Sequence, residues 1–214
     1  MFDKKNNIIF SVQQDNEEKI VVNKSIFIAI IRKVENREEV VQFKKEIMEK
    51  YTNATHYVLA YKIGEEEFCD DDGEPSRTSG FPILKCILGS ELNNTCIIVV
   101  RYFGGILLGT GGLVKAYTES AKSVISTAKI VKCIRVRKEK IIIPYDRISK
   151  VRRIIEEVSR TKVEEETYID IVNENYIEKV ELEIYISYNI CDILKKKIEL
   201  ENMIGSENAI IHEK

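Results

Sequence analysis

The stretch TCIIVVRYFGGILLGTGGLVKAYTESAKSVIST, residues 95–127, decides the fold of the first half of the chain. Residues 95–103 are an almost continuous apolar run, which is typical of a strand buried on both faces. The glycine-rich segment 104–112 predicts a loop, and the apolar residues of 113–127 recur at helical spacing and predict a helix. A strand, a glycine-rich loop and a helix in succession favour a domain that mixes strands and helices.

The residues before this stretch extend the same pattern. Residues 17–34 are rich in Val and Ile and predict one or two strands. Asn36 is a suitable N-cap for an amphipathic helix over 37–51. Residues 54–64 alternate between apolar and polar side chains, as a half-buried strand does. The first half of the chain is therefore expected to alternate strands with helices.

Residues 65–80, EEEFCDDDGEPSRTSG, are polar, acidic and rich in turn residues. They predict an exposed loop. A short helix is expected at 82–89, because Ser79 can cap its N-terminus and Pro82 suits the first turn.

After Ala128 the pattern begins again and predicts six elements in the order βαββαβ, which is the ferredoxin-like arrangement. They are a strand at 133–145, a helix at 148–160, strands at 163–172 and 176–187 joined by a turn at 173–175, a helix at 191–203 and a strand at 207–214. The chain is therefore predicted to be an α+β protein with two domains, 1–132 and 133–214.

Composition excludes several classes of protein. With 44% hydrophobic and 32% charged residues the chain can bury a core. No apolar run approaches the ~18 residues that span a membrane, and no signal-type segment opens the chain. Five cysteines without a C-x-x-C pair, and only two histidines, argue against a disulfide framework and a zinc site. We expect a cytoplasmic protein without membrane contact.

The net charge of −2 conceals an uneven distribution of charge. Residues 129–153 hold ten basic and two acidic side chains, a net charge of +8, and residues 154–214 have a net charge of −8. This basic belt, 129–153, is a candidate for contact with nucleic-acid phosphates. The alternative is a strand and a helix whose cations simply face water. The candidate nucleic-acid-binding residues are Lys132, Arg135, Arg137, Lys138, Arg152 and Arg153.

The glycine-rich loop is a candidate anion site, because a turn that opens a helix points backbone N–H groups and the positive helix end outward. Arg101 and Lys115 flank it with positive charge. A nucleotide-binding P-loop is excluded, since Thr110–Gly111 stands where Lys–Ser/Thr is required. The alternative is that the glycines permit a tight turn and close packing of helix on sheet.

The acidic run Asp70–Asp72 with Glu74 has the oxygen ligands that Mg²⁺ prefers. Alternatively it is a solvated turn, or its carboxylates pair with Arg77 or Arg101. We expect no metal or other cofactor. We also expect no catalytic residue, because the acids around Cys69 raise the pKa of its thiol instead of activating it.

Three linked motifs give the chain a resemblance to a known family. DDGEPSRTSG at 71–80, VVRYFGG at 99–105 and LGTGGLVKAY at 108–117 are similar to the YigZ/IMPACT family, in its two-domain bacterial form. The resemblance implies a first domain like the second domain of a small-subunit ribosomal protein, an α/β sandwich. It implies a ferredoxin-like second domain like the last domain of elongation factor G. Ile26 and Leu107 stand where family members commonly carry a cation.

The resemblance also implies a role. Its eukaryotic members regulate translation initiation through protein contacts, so we expect a non-catalytic, translation-associated regulatory factor that binds RNA, the ribosome or a ribosome-associated protein. A rival is a Mg²⁺-dependent enzyme acting on a phosphorylated small molecule or nucleotide; a third possibility is a pure protein-interaction module. The candidate anion- or ligand-binding residues are Arg101, Tyr102, Gly104, Gly105, Gly109, Gly111, Gly112, Lys115, Asp71, Asp72, Glu74 and Thr78.

Overall fold

A computed structural model of the chain describes residues 8–160 and 167–200 and the backbone of 212–213. Its strands are β1 (Ile8–Val12), β2 (Asn16–Val22), β3 (Ser25–Lys33), β4 (His56–Ile63), β5 (Glu66–Asp70), β6 (Thr95–Tyr102), β7 (Ile130–Ile134), β8 (Val136–Ile143), β9 (Ile169–Tyr176), β10 (Val180–Ser187) and β11 (His212–Glu213). The helices are α1 (Arg37–Lys50), α2 (Gly80–Gly89), α3 (Gly109–Thr127), α4 (Ile148–Ser159) and α5 (Tyr188–Leu200). None of these helices has the length and apolar character needed to cross a membrane.

The chain separates into two compact units between Lys132 and Cys133. Among the described residues, the first unit is Phe10–Lys132, and the second begins at Cys133 and also includes residues 8–9. Both units combine strands and helices, so the mixed α+β class is confirmed. Strands β1 and β7 pair in a small sheet of their own.

The first unit is built on a five-stranded sheet in the order β2-β3-β6-β4-β5, and all neighbouring strands are antiparallel. Strand β6 lies at its centre and is buried from Thr95 to Arg101, which confirms the prediction from its apolar run. Successive side chains of a strand point to opposite faces. Alternate residues of β6 therefore join two cores, one beneath α1 and the other beneath α2 and α3.

The predicted exposed loop at 65–80 is wrong in two respects. Residues 66–70 form the edge strand β5, which pairs with β4 alone, so its polar side chains can face water while its backbone is hydrogen-bonded. Glu74, Thr78 and Ser79 are buried. Helix α2 begins at Gly80, and the Ser79 hydroxyl donates a hydrogen bond to Asp71 (2.6 Å) instead of capping the helix.

The glycine-rich loop contains one position at which only glycine fits. A Cβ on Gly104 would lie 2.1 Å from the carbonyl carbon of Lys24, and both groups belong to backbone, so neither can move aside independently. The Gly104 N–H donates to the Ser25 hydroxyl (3.1 Å). The loop is shorter than predicted, since α3 begins at Gly109, four residues before the expected start at 113.

The second unit has the element order β8-α4-β9-β10-α5-β11, with a sheet in the order β11-β8-β10-β9 whose neighbours are all antiparallel. Helices α4 and α5 share one core with this sheet. The predicted turn at 173–175 is wrong: β9 continues to Tyr176 and the connection to β10 is 177–179. The predicted strand 133–145 is two strands, β7 and β8. Residues 161–166 and 201–211, which the predictions also covered, lie outside the described residues.

Candidate functional site

Register brings three side chains into one row across the first sheet. Arg101 of β6 lies directly opposite Phe27 of β3 and His56 of β4. Side chains that face each other across antiparallel strands point to the same side of the sheet. The guanidinium of Arg101 lies 5.4 Å from the centroid of the Phe27 ring. The row thus presents a cation and an imidazole on the face that α2 and α3 cover.

Arg101 is the centre of a buried polar network. Its Nη1 donates to Oε1 of Glu74 at 2.5 Å, and the Tyr117 hydroxyl of α3 donates to the same oxygen at 2.7 Å. The side chains of Arg101 and Glu74 are only 6% and 4% exposed. Burial, and then the Glu74 carboxylate, raise the pKa of Tyr117, which keeps the hydroxyl protonated as the donor. The network ties β6, the 71–79 loop and α3 together.

One part of the Arg101 guanidinium has no partner. Its Nε is buried, and the part of the chain that the structure describes offers no hydrogen-bond acceptor for it. A buried donor left unpaired costs about 1–3 kcal/mol. Guanidinium groups grip carboxylates and phosphates with two parallel N–H groups. Arg101 uses one N–H group for Glu74 and keeps donor capacity for another acceptor.

His56 is fixed in orientation by the 71–79 loop. Its Nδ1 lies 2.8 Å from the Asp72 carbonyl oxygen, and because a carbonyl only accepts, Nδ1 is the donor. Its Nε2 then lies 3.9 Å from Oε1 of Glu74. In the neutral ring Nε2 keeps its lone pair as an acceptor. The imidazole is therefore held in one tautomer beside the buried carboxylate.

The 71–79 loop is organised by Asp71. Its carboxylate accepts the Ser79 hydroxyl and the backbone N–H groups of Arg77, Ser79 and Gly80. Burial by itself raises the pKa of Asp71, but the Ser79 hydroxyl and the three N–H groups outweigh it, so the pKa lies below its usual value. Asp71 thereby accepts hydrogen bonds from the N–H groups at the start of α2, the role that was predicted for the Ser79 side chain.

The cleft beside this network, here called the Arg101 cleft, has a volume of about 390 Å³. Its walls come from β4, β6, the 71–79 loop and the first turn of α3. It is lined by Thr55, His56, Glu74, Pro75, Arg101, Phe103, Leu107, Leu108, Gly109, Thr110 and Leu113. The cleft thus combines an apolar wall with a few charged and polar groups, as ligand sites commonly do.

The N-terminus of α3 opens into the Arg101 cleft. Leu108 occupies the N-cap position and gives no side-chain hydrogen bond. The first N–H groups of a helix have no partner within it, so those of Gly109, Thr110 and Gly111 depend on acceptors from outside. Among the described residues no other element supplies such an acceptor. The positive end of a 19-residue helix therefore lies at the cleft that Arg101 also lines.

The other residues of the predicted anion site are dispersed. Tyr102 lies on the opposite face of the sheet, where its hydroxyl donates to the Thr52 carbonyl (3.2 Å). The Thr78 hydroxyl donates to the Pro75 carbonyl (2.6 Å). Gly105 and Lys115 are exposed and do not line the cleft, and Gly112 lies within α3. Of the predicted residues, Arg101, Glu74 and Gly109 line the cleft directly.

The acidic run does not converge on one point. Asp71 binds the start of α2, Asp72 accepts the Tyr57 N–H (2.7 Å) and pairs with Lys44, and Glu74 pairs with Arg101. Across residues 8–160 and 167–200, no three His, Cys, Asp or Glu side chains are grouped to hold a metal ion. Burial, and then Asp71, raise the pKa of Cys69.

The cations of the basic belt are neutralised by acids, mostly from the segment that follows it. Arg137 pairs with Glu139, Lys138 with Glu183, Arg152 with Glu174 and Arg153 with Glu157. Lys132 and Arg135 have interaction partners as well. The +8 of the belt is therefore largely balanced within the second unit. The pairs of Lys138, Arg152 and Arg153 are exposed and therefore weak, so a phosphate can still compete for these three cations. Arg137, by contrast, pairs with a buried carboxylate.

Comparison with known proteins identifies the family. Residues 23–125 match the model of the Impact N-terminal domain. The chain contains a domain of the IMPACT family. IMPACT family member YvyE of Bacillus subtilis (strain 168) is 41% identical over 125 residues, which cover 57% of this chain and 58% of YvyE. IMPACT family member YigZ of Escherichia coli (strain K12) is 39% identical over 101 residues, covering 45% of this chain and 50% of YigZ. The chain thus spans only about half the length of these curated relatives.

A crystal structure of a hypothetical protein is similar over the whole chain. It covers 98% of both chains with a TM-score of 0.69 and 22% sequence identity, a likeness that concerns the fold alone. Every residue that lines the Arg101 cleft falls within 23–125, the segment that matches the Impact N-terminal domain.

Sequence reasoning missed Thr110, which lines the cleft, and Tyr117, which donates to Glu74 in the buried network. Tyr117 was assigned to the apolar stripe of a helix, and Thr110 was considered only as a mismatch to the P-loop. For His56 the sequence leaves two interpretations, a catalytic residue with Cys69 and Asp72 or a hydrogen-bonded structural residue of its strand. Pairing its strand with the apolar run 95–103 would have placed His56 beside Arg101, but the register of that pairing is not encoded in either strand alone.

Proposed function

We propose that this chain is a translation-associated regulatory factor, and that the Arg101 cleft holds an anionic group of its RNA or protein partner. The observation that carries the proposal is the unpartnered Nε of the buried Arg101 in a cleft onto which the uncapped N-terminus of α3 opens. The IMPACT-family domain supports the translation-associated role, because the resemblance implies regulators of translation. The proposal also retains the family's fold relations, to a ribosomal-protein domain and to the last domain of elongation factor G.

Two sources of positive potential meet in the cleft. The end of a long helix is equivalent to about half a positive charge, and an anion there gains about 0.3–1 kcal/mol, or more when it is partly buried. The free donor of Arg101 adds a charge-assisted hydrogen bond. Glu74 opposes an anion, but its Oε1 already accepts from both Arg101 and Tyr117. Two donors therefore offset part of the negative charge that Glu74 brings to the cleft wall.

Gly111 provides a variant that adds a negative charge to the first turn of α3, the turn that also holds the lining residues Gly109 and Thr110, without disturbing the buried network. A Cβ at this position has no atom within 4 Å, and the residue lies in the first turn of α3. An acid in the first turn stabilises a helix by about 0.3–1 kcal/mol and repels an anionic ligand. Gly111→Asp is therefore expected to fold at least as well as the parent protein while losing its ligand. Gly111→Ala is the matched uncharged control.

The test is co-sedimentation of each variant with ribosomes, and fluorescence anisotropy with a single-stranded RNA. We expect the parent protein and Gly111→Ala to bind and Gly111→Asp to bind about tenfold more weakly or worse, a loss of about 1.4 kcal/mol. Equal binding by all three proteins contradicts the proposal. Calorimetry with a nucleotide and Mg²⁺ serves as the discriminating control: binding that requires Mg²⁺ and fails in Asp72→Ala would replace the proposed factor with a phosphate-handling enzyme.

A further inference from the structure

A second groove lies on the outer surface of the first unit, between α2 and α3, and has a volume of about 430 Å³. Three cations stand around it: Arg77, Lys85 and Lys122. Phe81, Pro82 and Val114 form much of its floor. No acidic residue lines it. This groove, here called the α2–α3 groove, shares no lining residue with the Arg101 cleft.

The cations of this groove differ from those of the basic belt. Lys138, Arg152 and Arg153 each pair with a glutamate, whereas Arg77, Lys85 and Lys122 form no ion pair with any residue that the structure describes. Counting charge along the sequence hides them, because residues 1–128 have a net charge of −2. Three cations without an ion pair to the described residues thus lie together in a region whose net charge is negative.

Two of the three cations are held in place. The Arg77 guanidinium lies 3.9 Å, and the Lys85 ammonium 4.8 Å, from the centroid of the Phe81 ring. The backbone N–H of Arg77 donates to Asp71 (2.7 Å), which fixes the base of the side chain at a positive φ of 62°. Cation–π contacts of this kind are attractive even at exposed sites. The positive rim is therefore ordered before any partner arrives, which lowers the entropy cost of binding.

We propose that the α2–α3 groove binds an acidic, amphipathic segment of a partner protein. Apolar side chains of that segment would pack on Phe81, Pro82 and Val114, and its carboxylates would face the three cations. A nucleic-acid backbone would satisfy the cations but would leave the apolar floor covered by sugar and phosphate. Val114 is 38% exposed and lines the groove together with the three cations, so apolar and basic surface adjoin here. This proposal does not depend on the Arg101 cleft.

The test uses three labelled probes and full-length protein in fluorescence anisotropy. The first is a short helical peptide with Leu at i, i+3, i+4 and i+7 and Glu at the flanking positions. The second carries Lys in place of each Glu, and the third is a single-stranded RNA. We expect only the Glu peptide to bind in the groove, with an affinity that falls as salt is added.

The variants separate the rim from the floor. Lys85→Glu combined with Lys122→Glu should weaken binding of the Glu peptide by about tenfold or more, and Val114→Ser should weaken it several-fold. Lys45→Glu changes an exposed lysine on α1 that forms no ion pair with any described residue; it is the control for a single charge reversal elsewhere on the surface and should have no effect. Thermal unfolding verifies that each variant is folded.

Three results would overturn the proposal. One is failure of the Glu peptide to bind. Another is binding that the double Lys→Glu variant leaves unchanged. The third is RNA binding that the double variant abolishes and Val114→Ser does not affect, because the groove would then be a phosphate surface with an incidental apolar floor.

Discussion

Replacing Glu74 by Gln tests whether the polar network of the Arg101 cleft is as tightly buried as its geometry indicates. The substitution keeps the shape of the side chain and removes its charge, so Arg101 remains buried with a positive charge and no counter-charge in contact. Removing one partner of a buried ion pair costs about 3–5 kcal/mol. The 6% and 4% exposure of the two side chains places this pair in that range, not among surface pairs worth about 0–1 kcal/mol.

Tyr117→Phe is the matched control, because it changes the same network without removing the charge of Glu74. It removes one hydrogen bond to the same carboxylate oxygen and leaves the ion pair intact, so the expected loss is smaller, about 1.5–3 kcal/mol. Hydrogen exchange of the β6 amides in the full chain measures both losses, because the slowest amides of a core strand report the unfolding of its own unit. The reasoning fails if Glu74→Gln costs less than about 1 kcal/mol, or if Tyr117→Phe costs as much as Glu74→Gln.

Three further predictions concern the close approach at Gly104, the Asp71 carboxylate and the basic belt. Gly104→Ala should cost more than about 4 kcal/mol or prevent folding, because its Cβ would lie 2.1 Å from the Lys24 backbone; thermal unfolding checks this, and a loss below 1 kcal/mol contradicts the close approach. Because the pKa of Asp71 is lowered on folding, its stabilisation is complete above the ordinary carboxyl range and is lost as pH falls through the lowered pKa. Urea unfolding between about pH 6 and 2 should therefore show an acid-dependent loss that Asp71→Asn lacks, and parallel profiles would refute the assignment. If the basic belt contacts RNA, Arg152→Ala with Arg153→Ala should reduce the slope of log affinity against log salt by about 1.4, whereas an unchanged slope removes both residues from the interface.

The hydrophobic pattern of the sequence predicted the strands and helices that are buried on one face or on both faces. The apolar run of β6 and the helical spacing of α1 required no knowledge of neighbours, and the Asn36 side chain caps α1 as expected by accepting the Glu39 N–H. β5 was missed because it is an edge strand with polar side chains, so neither alternation nor hydrophobicity marks it. Asn173 misled for a related reason: it lies where the β9–β10 register shifts, and turn-favouring residues are also found at such irregularities.

The same distinction between local pattern and contacts made elsewhere in the fold applies to the functional site. Arg101 and the start of α3 are adjacent in sequence to the glycine-rich loop, so local reasoning found them. His56 and Tyr117 reach Glu74 only through strand register and helix packing, which are properties of the whole unit. The basic belt shows the opposite error, since a sum of charges along the chain takes no account of partners such as Glu174 and Glu183 across the sheet.

Titration of isotope-labelled protein with inorganic phosphate, followed by NMR, tests anion binding in the Arg101 cleft most directly. The account predicts saturable shifts of the Arg101 Nε–H signal and of the amides of Gly109, Thr110 and Gly111, retained in Gly111→Ala and lost in Gly111→Asp. Shifts confined to the lysines of the α2–α3 groove, or none at all at the start of α3, would contradict it.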